Sequence, residues 1–276
     1  MDCDILMITY NRPRYTELCL SRLLETCDEN TRVWIWHNGD HAETLEVVKR
    51  LAVHPRVHEF HHSKENKKLR EPTNWLWQNA QGNLLGKVDD DCLVPQGWIQ
   101  TLRQAHADVP KFGAISCWHF PPEDLVPELA RKKVRTFGRH QIMANCWIGG
   151  SGYLLKRHCV EQQGMILEGK NFTDYTLSLA VKGWVNGWYW PFLYQDHLDD
   201  PRSAHTALKT QADFEQGVPL SARTFGCDSI EAWCDRLRAE ARMLQEISPD
   251  PWQHSGWRPK VRHMVGRVKA RLLRGR

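Results

Sequence analysis

Four short apolar runs in the first third of the chain, each closed by polar residues and followed by an amphipathic stretch, limit what these residues can build. Asp4 to Thr9 is a run of strand length. Tyr10-Asn-Arg-Pro13 stops it and opens a helix reaching about Cys27, with Asn11 as a cap and Pro13 in the first turn. Cys19, Leu20, Leu23, Leu24 and Cys27 recur there at helical spacing. Val33 to Trp36 is a second strand ending at His37-Asn-Gly-Asp40, and Leu45, Val48, Leu51 and Ala52 mark a second helix. A third strand, Val57 to His61, leads into the polar loop Ser63 to Arg70, and Pro72 opens a helix carrying Asn74, Trp75 and Ala80. The fourth run, Leu85-Gly-Lys-Val-Asp-Asp-Asp-Cys92, delivers three consecutive carboxylates to its end. Strands alternating with helices predict an α/β fold: a mostly parallel sheet flanked by helices.

Ligands of such sheets bind beyond the carboxyl ends of the strands. Here those ends hold Thr9 to Arg12, Asn38 to Asp40, Asn66 to Lys68, and Asp89 to Asp91, all polar and suited to a nucleotide or a metal. Neither GxGxxG nor GxxxxGK[ST] is present, so phosphates are not held by a dinucleotide fingerprint or a P-loop. A divalent cation is the simplest alternative, and adjacent carboxylates that would repel one another need a cation to stay charged near a buried strand. Asp89 and Asp91 share a face if the strand continues, with Asp90 turned away.

Farther on, Gln96 to Ala107 reads as a helix and Gly113 to Trp118 as a strand. Pro121 to Asn145, with Arg131, Lys132, Lys133, Arg135 and Arg139, reads as an irregular basic segment, either a binding loop or a solvated surface. Cys146-Trp-Ile-Gly-Gly-Ser-Gly152 sets Gly149, Gly150 and Ser151 between two strand-like runs, where glycine lets a ligand approach the backbone or makes a turn. Tyr175 to Lys182 is helical, and Asp174 before it is a cap, a carboxylate aimed into the site, or both. Trp184 to Phe192 is an aromatic strand followed by Tyr194-Gln-Asp-His197. Of the thirteen tryptophans, Trp147 and Trp184 are the candidates for the acceptor side, by stacking on sugar rings. On a strand His61 points opposite to His58 and His62, which argues against a shared zinc site.

Nine cysteines without a CxxC pair exclude a disulfide framework and a zinc ribbon. No run approaches the ~18 apolar residues of a membrane span, and Met-Asp-Cys-Asp lacks a basic leader, which predicts a cytoplasmic protein. The net charge of +4 is a property of the end: Arg258 to Arg276 holds eight Lys/Arg and no carboxylate, leaving 29 basic against 33 acidic residues elsewhere. Val261, Met264, Val265, Val268 and Leu272 make that end a basic amphipathic helix, which would suit an anionic membrane surface and a peripheral location on the inner face, or nucleic acid, or packing on the domain itself.

Taken in order, "ITYNR", "WHNGD", "NKKLREPTNWLWQNAQG", "LGKVDDDCLVPQ" and "WIGGSGYLLKR" resemble the segments of a family 2 type glycosyltransferase with the GT-A fold, from about residue 4 to 197. The resemblance implies a domain over 1–200, with a nucleotide-binding half (1–92) and an acceptor-binding half (93–200), then a helical C-terminal extension (201–276). It implies transfer of a sugar from a nucleotide-diphosphate donor, a UDP-sugar favoured, to a glycan or lipid-linked acceptor, with no nucleic acid as partner. Thr9, Tyr10, Asn11, Arg12, Asn38, Asp40, Asn66, Lys68, Asn74, Asp89 and Asp90 would line the donor, and Trp147, Gly149, Gly150 and Ser151 the sugar or acceptor. Asp91 and His197 would hold Mn2+ or Mg2+, which neutralises charge building on the leaving diphosphate. Asp174 in "NFTDYTL" would be the general base of an inverting displacement.

The sequence differs from the family's usual pattern at His37-Asn38, where two acidic residues are common, at Lys67-Lys68, where glycine is common, and at Thr173, where Glu is usual. A sugar nucleotidyltransferase would need a glycine-rich loop in place of "TYNRPR". The same residues would also suit a retaining transferase, or a non-catalytic scaffold that binds sugar-nucleotide or membrane.

Overall fold

The computed structural model describes residues 1–255. The chain begins with β1 (Cys3–Thr9), α1 (Pro13–Thr26), β2 (Thr31–Asn38), α2 (Ala42–Leu51), β3 (Val57–Ser63), α3 (Arg70–Asn79) and β4 (Leu84–Asp89). It continues through β5 (Cys92–Leu93), α4 (Trp98–Asp108), β6 (Phe112–Ser116), α5 (Pro127–Lys133), β7 (Val134–Phe137), β8 (His140–Asn145), β9 (Tyr153–Lys156), α6 (Arg157–Gln163), α7 (Phe172–Val181), β10 (Val185–Trp190) and β11 (Asp196–His197). The helices α8 (Gln211–Gln216), α9 (Leu220–Phe225) and α10 (Ile230–Glu246) follow. Nine strands form one sheet in the order β3-β2-β1-β4-β9-β6-β10-β8-β7, in which only β8 and β9 run against the rest. The sheet is therefore mostly parallel, as the alternation predicts.

Both faces are covered, and the two-residue period of β1 decides which side chain goes where. Ile5 and Met7 join Leu20, Leu23, Ile99 and Leu102 beneath α1 and α4, whereas Leu6 and Ile8 join Trp34, Trp36, Leu76 and Trp77 on the side of α3 and α7. β1 pairs with β2 on one side and β4 on the other, so the chain's direction of winding reverses there. That reversal opens a crevice above the carboxyl ends of β1, β2 and β4, where Thr9, Asn38 and Asp89 lie.

The structure corrects three expectations. Asn11 does not cap α1: its φ is +51°, and Arg12 precedes the helix without a side-chain cap. Pro121 to Asn145 is not irregular but holds α5 and the hairpin β7–β8, which ends the sheet. Of its basic residues, Lys133 is buried and donates to the Leu244 carbonyl and Arg139 pairs with Asp108 at the surface, while Arg131, Lys132 and Arg135 are exposed. A register shift between β2 and β3 turns His58 onto the face of His61, where His58 packs tilted against Trp34 and His61 stacks on Trp36, while His62 lies against His37. All nine cysteines are free. The basic segment 258–276 lies outside the described residues, and no helix among those described is long and apolar enough to cross a membrane.

Candidate active site

The three carboxylates at the end of β4 part ways because the strand stops at Asp89 and the next two residues turn. Asp89 stays in line: its backbone N–H donates to Ser151 Oγ (2.9 Å) and its carboxylate pairs with Lys87, two residues back on the same face. Asp90 bends toward β1, accepting from the Tyr10 N–H (2.9 Å) and the Thr16 hydroxyl (3.3 Å). Burial and the charge of Asp91 push its pKa up to about 7. Its contacts make Asp90 the anchor of the loop after β1.

Asp91 faces the crevice. The two-stranded ladder β5–β11 pairs Cys92 with His197, and the Leu198 N–H donates to the Asp91 carbonyl (2.8 Å). This ladder delivers His197 and Asp199, so that one ligand atom from each of Asp91, His197 and Asp199 lies within 4.8 Å of the others. Arg12 spans the two carboxylates, donating to Asp91 Oδ2 (3.1 Å) and Asp199 Oδ2 (2.9 Å). Burial and the neighbouring Asp91 raise the Asp199 pKa to about 6, although Arg12 opposes the shift. For Asp91 the outcome is the reverse: His197 and Arg12 outweigh burial and hold it below the usual carboxylate range. Four clustered carboxylates face two fixed cations, Arg12 and Lys87, an excess of negative charge that fits a divalent cation. Carboxylate oxygens with one imidazole are a donor set for Mn2+ or Mg2+.

The crevice has two further walls. The loop before β9 is clamped to the triplet through Ser151 and through the Gly152 N–H to the Lys87 carbonyl (2.8 Å). Gly150 faces the Lys87 ammonium, and Gly149 lies against His119. Burial pushes His119 down to about 3, and its ring meets His197 edge-on at 6.0 Å. On the opposite wall Thr9 Oγ1 meets His37 Nδ1 (2.8 Å). Asn38 accepts from the Lys67 N–H (2.9 Å) and Trp36 Nε1 (3.0 Å) and donates to the Lys68 carbonyl (3.2 Å), fixing the loop that Asn66 turns by accepting from the Lys68 N–H (2.8 Å). Asp40 is exposed beside His62 (3.3 Å).

Other candidates sit apart from the triplet. Asn74 gives its amide to Ile166, donating to the carbonyl (2.9 Å) and accepting from the N–H (3.0 Å). Trp147 packs edge-on against His254, and Trp184 donates to Gln162 Oε1 (3.2 Å). Asp174 is not the cap of α7: Asn171 is, and Asp174 completes a capping box by accepting from the Asn171 N–H (3.2 Å). It makes no hydrogen bond or ion pair to the triplet, but Phe172 at the start of the same helix stacks on Tyr153 (4.1 Å), the β9 partner of Lys87.

Sequence reasoning passed over Lys87, His119 and Asp199. Asp199 had a signal, the acidic run around His197 in "QDHLDDP". Trp233 of α10 donates to its carbonyl (2.7 Å), so the C-terminal helices buttress this end of the site.

The sequence model of glycosyl transferase family 2 matches residues 4–148. No curated protein matches the sequence. Among solved structures, the fold is similar to that of the mannosyltransferase PcManGT from Pyrobaculum calidifontis, in complex with GDP-Man and Mn2+, at 18% identity over 98% of this chain and 80% of that one, with a TM-score of 0.60. It is also similar to TarS 1–349 of S. aureus, at 13% identity over 91% and 89% of the two chains, with a TM-score of 0.52.

Proposed function

The chain belongs to glycosyltransferase family 2 and is a glycosyltransferase of GT-A fold, and from that premise we propose a metal-assisted, inverting transfer of a sugar from a nucleotide-diphosphate donor to an acceptor hydroxyl. The observation that carries this reading is the cluster of Asp91, His197 and Asp199 at the crevice where the sheet reverses. A donor diphosphate beside it meets Arg12 and Lys87 as fixed cations. The structure of PcManGT with a nucleotide-sugar and Mn2+ is consistent with this choice of donor class and ion.

In this reading Asp91, His197 and Asp199 hold the ion. When bound there, Mn2+ or Mg2+ neutralises charge that gathers on the diphosphate as its bond to the anomeric carbon breaks. The 66–68 loop, fixed by Asn38, and the Thr9–His37 pair border the nucleoside, while Gly149, Gly150 and Ser151 leave backbone room for the sugar. Asp174 takes the proton from the attacking hydroxyl. Its role is supported by a position at the head of α7, next to the Phe172–Tyr153 stack that leads to Lys87 and Asp89, and by the absence of an ion-pair partner among the described residues. In this reading residues 1–92 border the nucleoside, residues 93–200 complete the ion site through His197 and Asp199 and supply Asp174, and α8 to α10 begin the helical extension, whose part after residue 255 lies outside the described residues.

The test screens UDP-, GDP- and dTDP-sugars for Mn2+-dependent diphosphate release, beside Asp91→Ala and Asp174→Asn. Loss of general-base catalysis lowers kcat by ~10²–10⁴ in Asp174→Asn with donor affinity retained. Undiminished turnover in Asp91→Ala refutes the ion assignment, and full activity in Asp174→Asn moves the base elsewhere.

A further inference from the structure

His119 follows β6, and the backbone fixes where it stands. The Trp118 N–H donates to the Leu193 carbonyl (2.8 Å) and the Trp118 carbonyl accepts from the Gln195 N–H (2.9 Å), so His119 leaves the sheet beside the segment that runs on to His197. Phe120 packs tilted on its ring at 4.1 Å, and His197 meets the ring edge-on at 6.0 Å. The residue is half-buried, and neither ring nitrogen has a hydrogen-bond partner among the described residues. It is not one of the groups whose ligand atoms converge with that of Asp91. Gly149 keeps the ring accessible: a Cβ there would stand 3.3 Å from Cε1 and 3.4 Å from Nδ1 of His119, on the edge between the two nitrogens. The φ of Gly149 is not positive, so what glycine supplies here is room rather than a left-handed turn.

We propose that His119 is a further catalytic residue, donating a hydrogen bond through this open edge to the phosphate oxygen that joins the donor's diphosphate to its sugar. The inference rests on the donor and ion reading above and adds a residue to it. With the diphosphate at Asp91, His197 and Asp199 and the sugar at the 149–151 loop, the bond that breaks lies between the two, and His119 stands between them as well. Imidazole presents at least one N–H in either protonation state, so a donor is always at hand. The oxygen gains charge as its bond to the sugar breaks, and a hydrogen bond to a charged acceptor is stronger than one to a neutral acceptor. The contact therefore tightens as the reaction proceeds.

The test uses the full chain with Mn2+ and calorimetry, with UDP, GDP and dTDP and their monophosphates as probes. His119→Phe keeps a ring and removes both nitrogens. It should weaken the diphosphate that the unmodified chain binds by ~10-fold or more and leave the matching monophosphate within ~2-fold. Turnover of the donor found in the screen should show kcat falling ~10-fold with a smaller change in KM. His119→Gln or His119→Asn, each carrying an N–H near one ring nitrogen, should recover most of the affinity. Gly149→Ala leaves His119 in place but covers its edge, and should weaken the same diphosphate ~3-fold or more; it decides by itself should His119→Phe not fold. Mn2+ affinity without nucleotide, read by electron paramagnetic resonance, should be the same in His119→Phe as in the unmodified chain. Unchanged diphosphate affinity in either variant, an equal loss for the monophosphate, a loss of Mn2+ affinity, or no recovery in either amide variant overturns the assignment. Failure of the unmodified chain to bind any of the three diphosphates overturns the donor reading itself, and is read before any variant is made.

Discussion

Replacing Lys87 by methionine keeps most of the side chain's volume and removes its charge, which isolates what the ammonium does for Asp89. The lysine side chain is 4% exposed and its partner 29%, so the pair is largely withdrawn from water. Breaking a buried pair from one side costs ~3–5 kcal/mol, because the remaining charge has neither solvent nor partner. The lower end, ~3 kcal/mol, applies to Lys87→Met, since Asp89 retains some solvent and accepts no other side-chain bond among the described residues. Asp89→Asn strands the more buried ammonium and should cost at least as much, ~3 kcal/mol. The double variant has no charge left to strand, so its loss should fall short of the sum by ~2 kcal/mol. Urea unfolding followed by tryptophan fluorescence in the presence of a chelator measures all four corners of this cycle without linkage to a bound ion. Additivity within ~0.5 kcal/mol would show that the two groups do not interact, and the charge accounting of the site would fail with it.

Asp199→Ala should raise the Mn2+ concentration for half-maximal turnover ~10-fold or more, read from metal titrations of diphosphate release; an unchanged midpoint removes Asp199 from the ion site. His106 and His37 are buried neutral, pushed down from 6.5 to about 3 and about 4 by desolvation. The unfolded chain then binds more protons, so stability is intact above pH 6.5 and falls with acid until the folded values are reached, by ~1.4 kcal/mol per pH unit for each histidine. His106→Gln should flatten that slope in urea titrations between pH 6.5 and 4, and an unchanged slope refutes the assignment. Gly152→Ala should cost ~2 kcal/mol in the same assay, because φ is +64° and the added carbon would overlap the Gln195 amide oxygen; a loss below ~0.5 kcal/mol would mean that the loop yields freely.

The parallel half was legible because β1, β2 and β4 are buried on both faces and read as continuous apolar runs, each broken by residues that cannot continue a strand. The hairpin β7–β8 was not, since Lys133, Arg135 and Arg139 look like solvated charge, and only the folded chain reveals the carbonyls and the Asp108 carboxylate that receive two of them. Side-chain parity failed for His58 because one register shift reverses every face beyond it, and nothing in "VHEFHH" marks the shift. α6 and the small helices after Arg202 carry too few apolar residues to show a period.

Asp199 shows the sharper limit. A carboxylate's chemistry depends on what it faces, and Asp199 faces Asp91 only because β5 and β11, two residues each, pair across the end of the sheet. Strands that short have no sequence period. They form because the Asp91 carbonyl and the Leu198 N–H sit at a buried turn where each needs a partner, and the ladder supplies it. The same pairing fixes Asp91 relative to His197, so the geometry of the candidate ion site is set by backbone bonds and not by the carboxylates, which on their own would repel. Arg12 then joins Asp91 to Asp199 from the loop after β1, and Asp90 holds that loop through Tyr10. The middle acid of the triplet therefore acts on the site through Arg12, without facing the ion. The two-residue period of a strand already sets Asp90 apart from its neighbours in the sequence, and the turn after Asp89 is what separates Asp91 from Asp89.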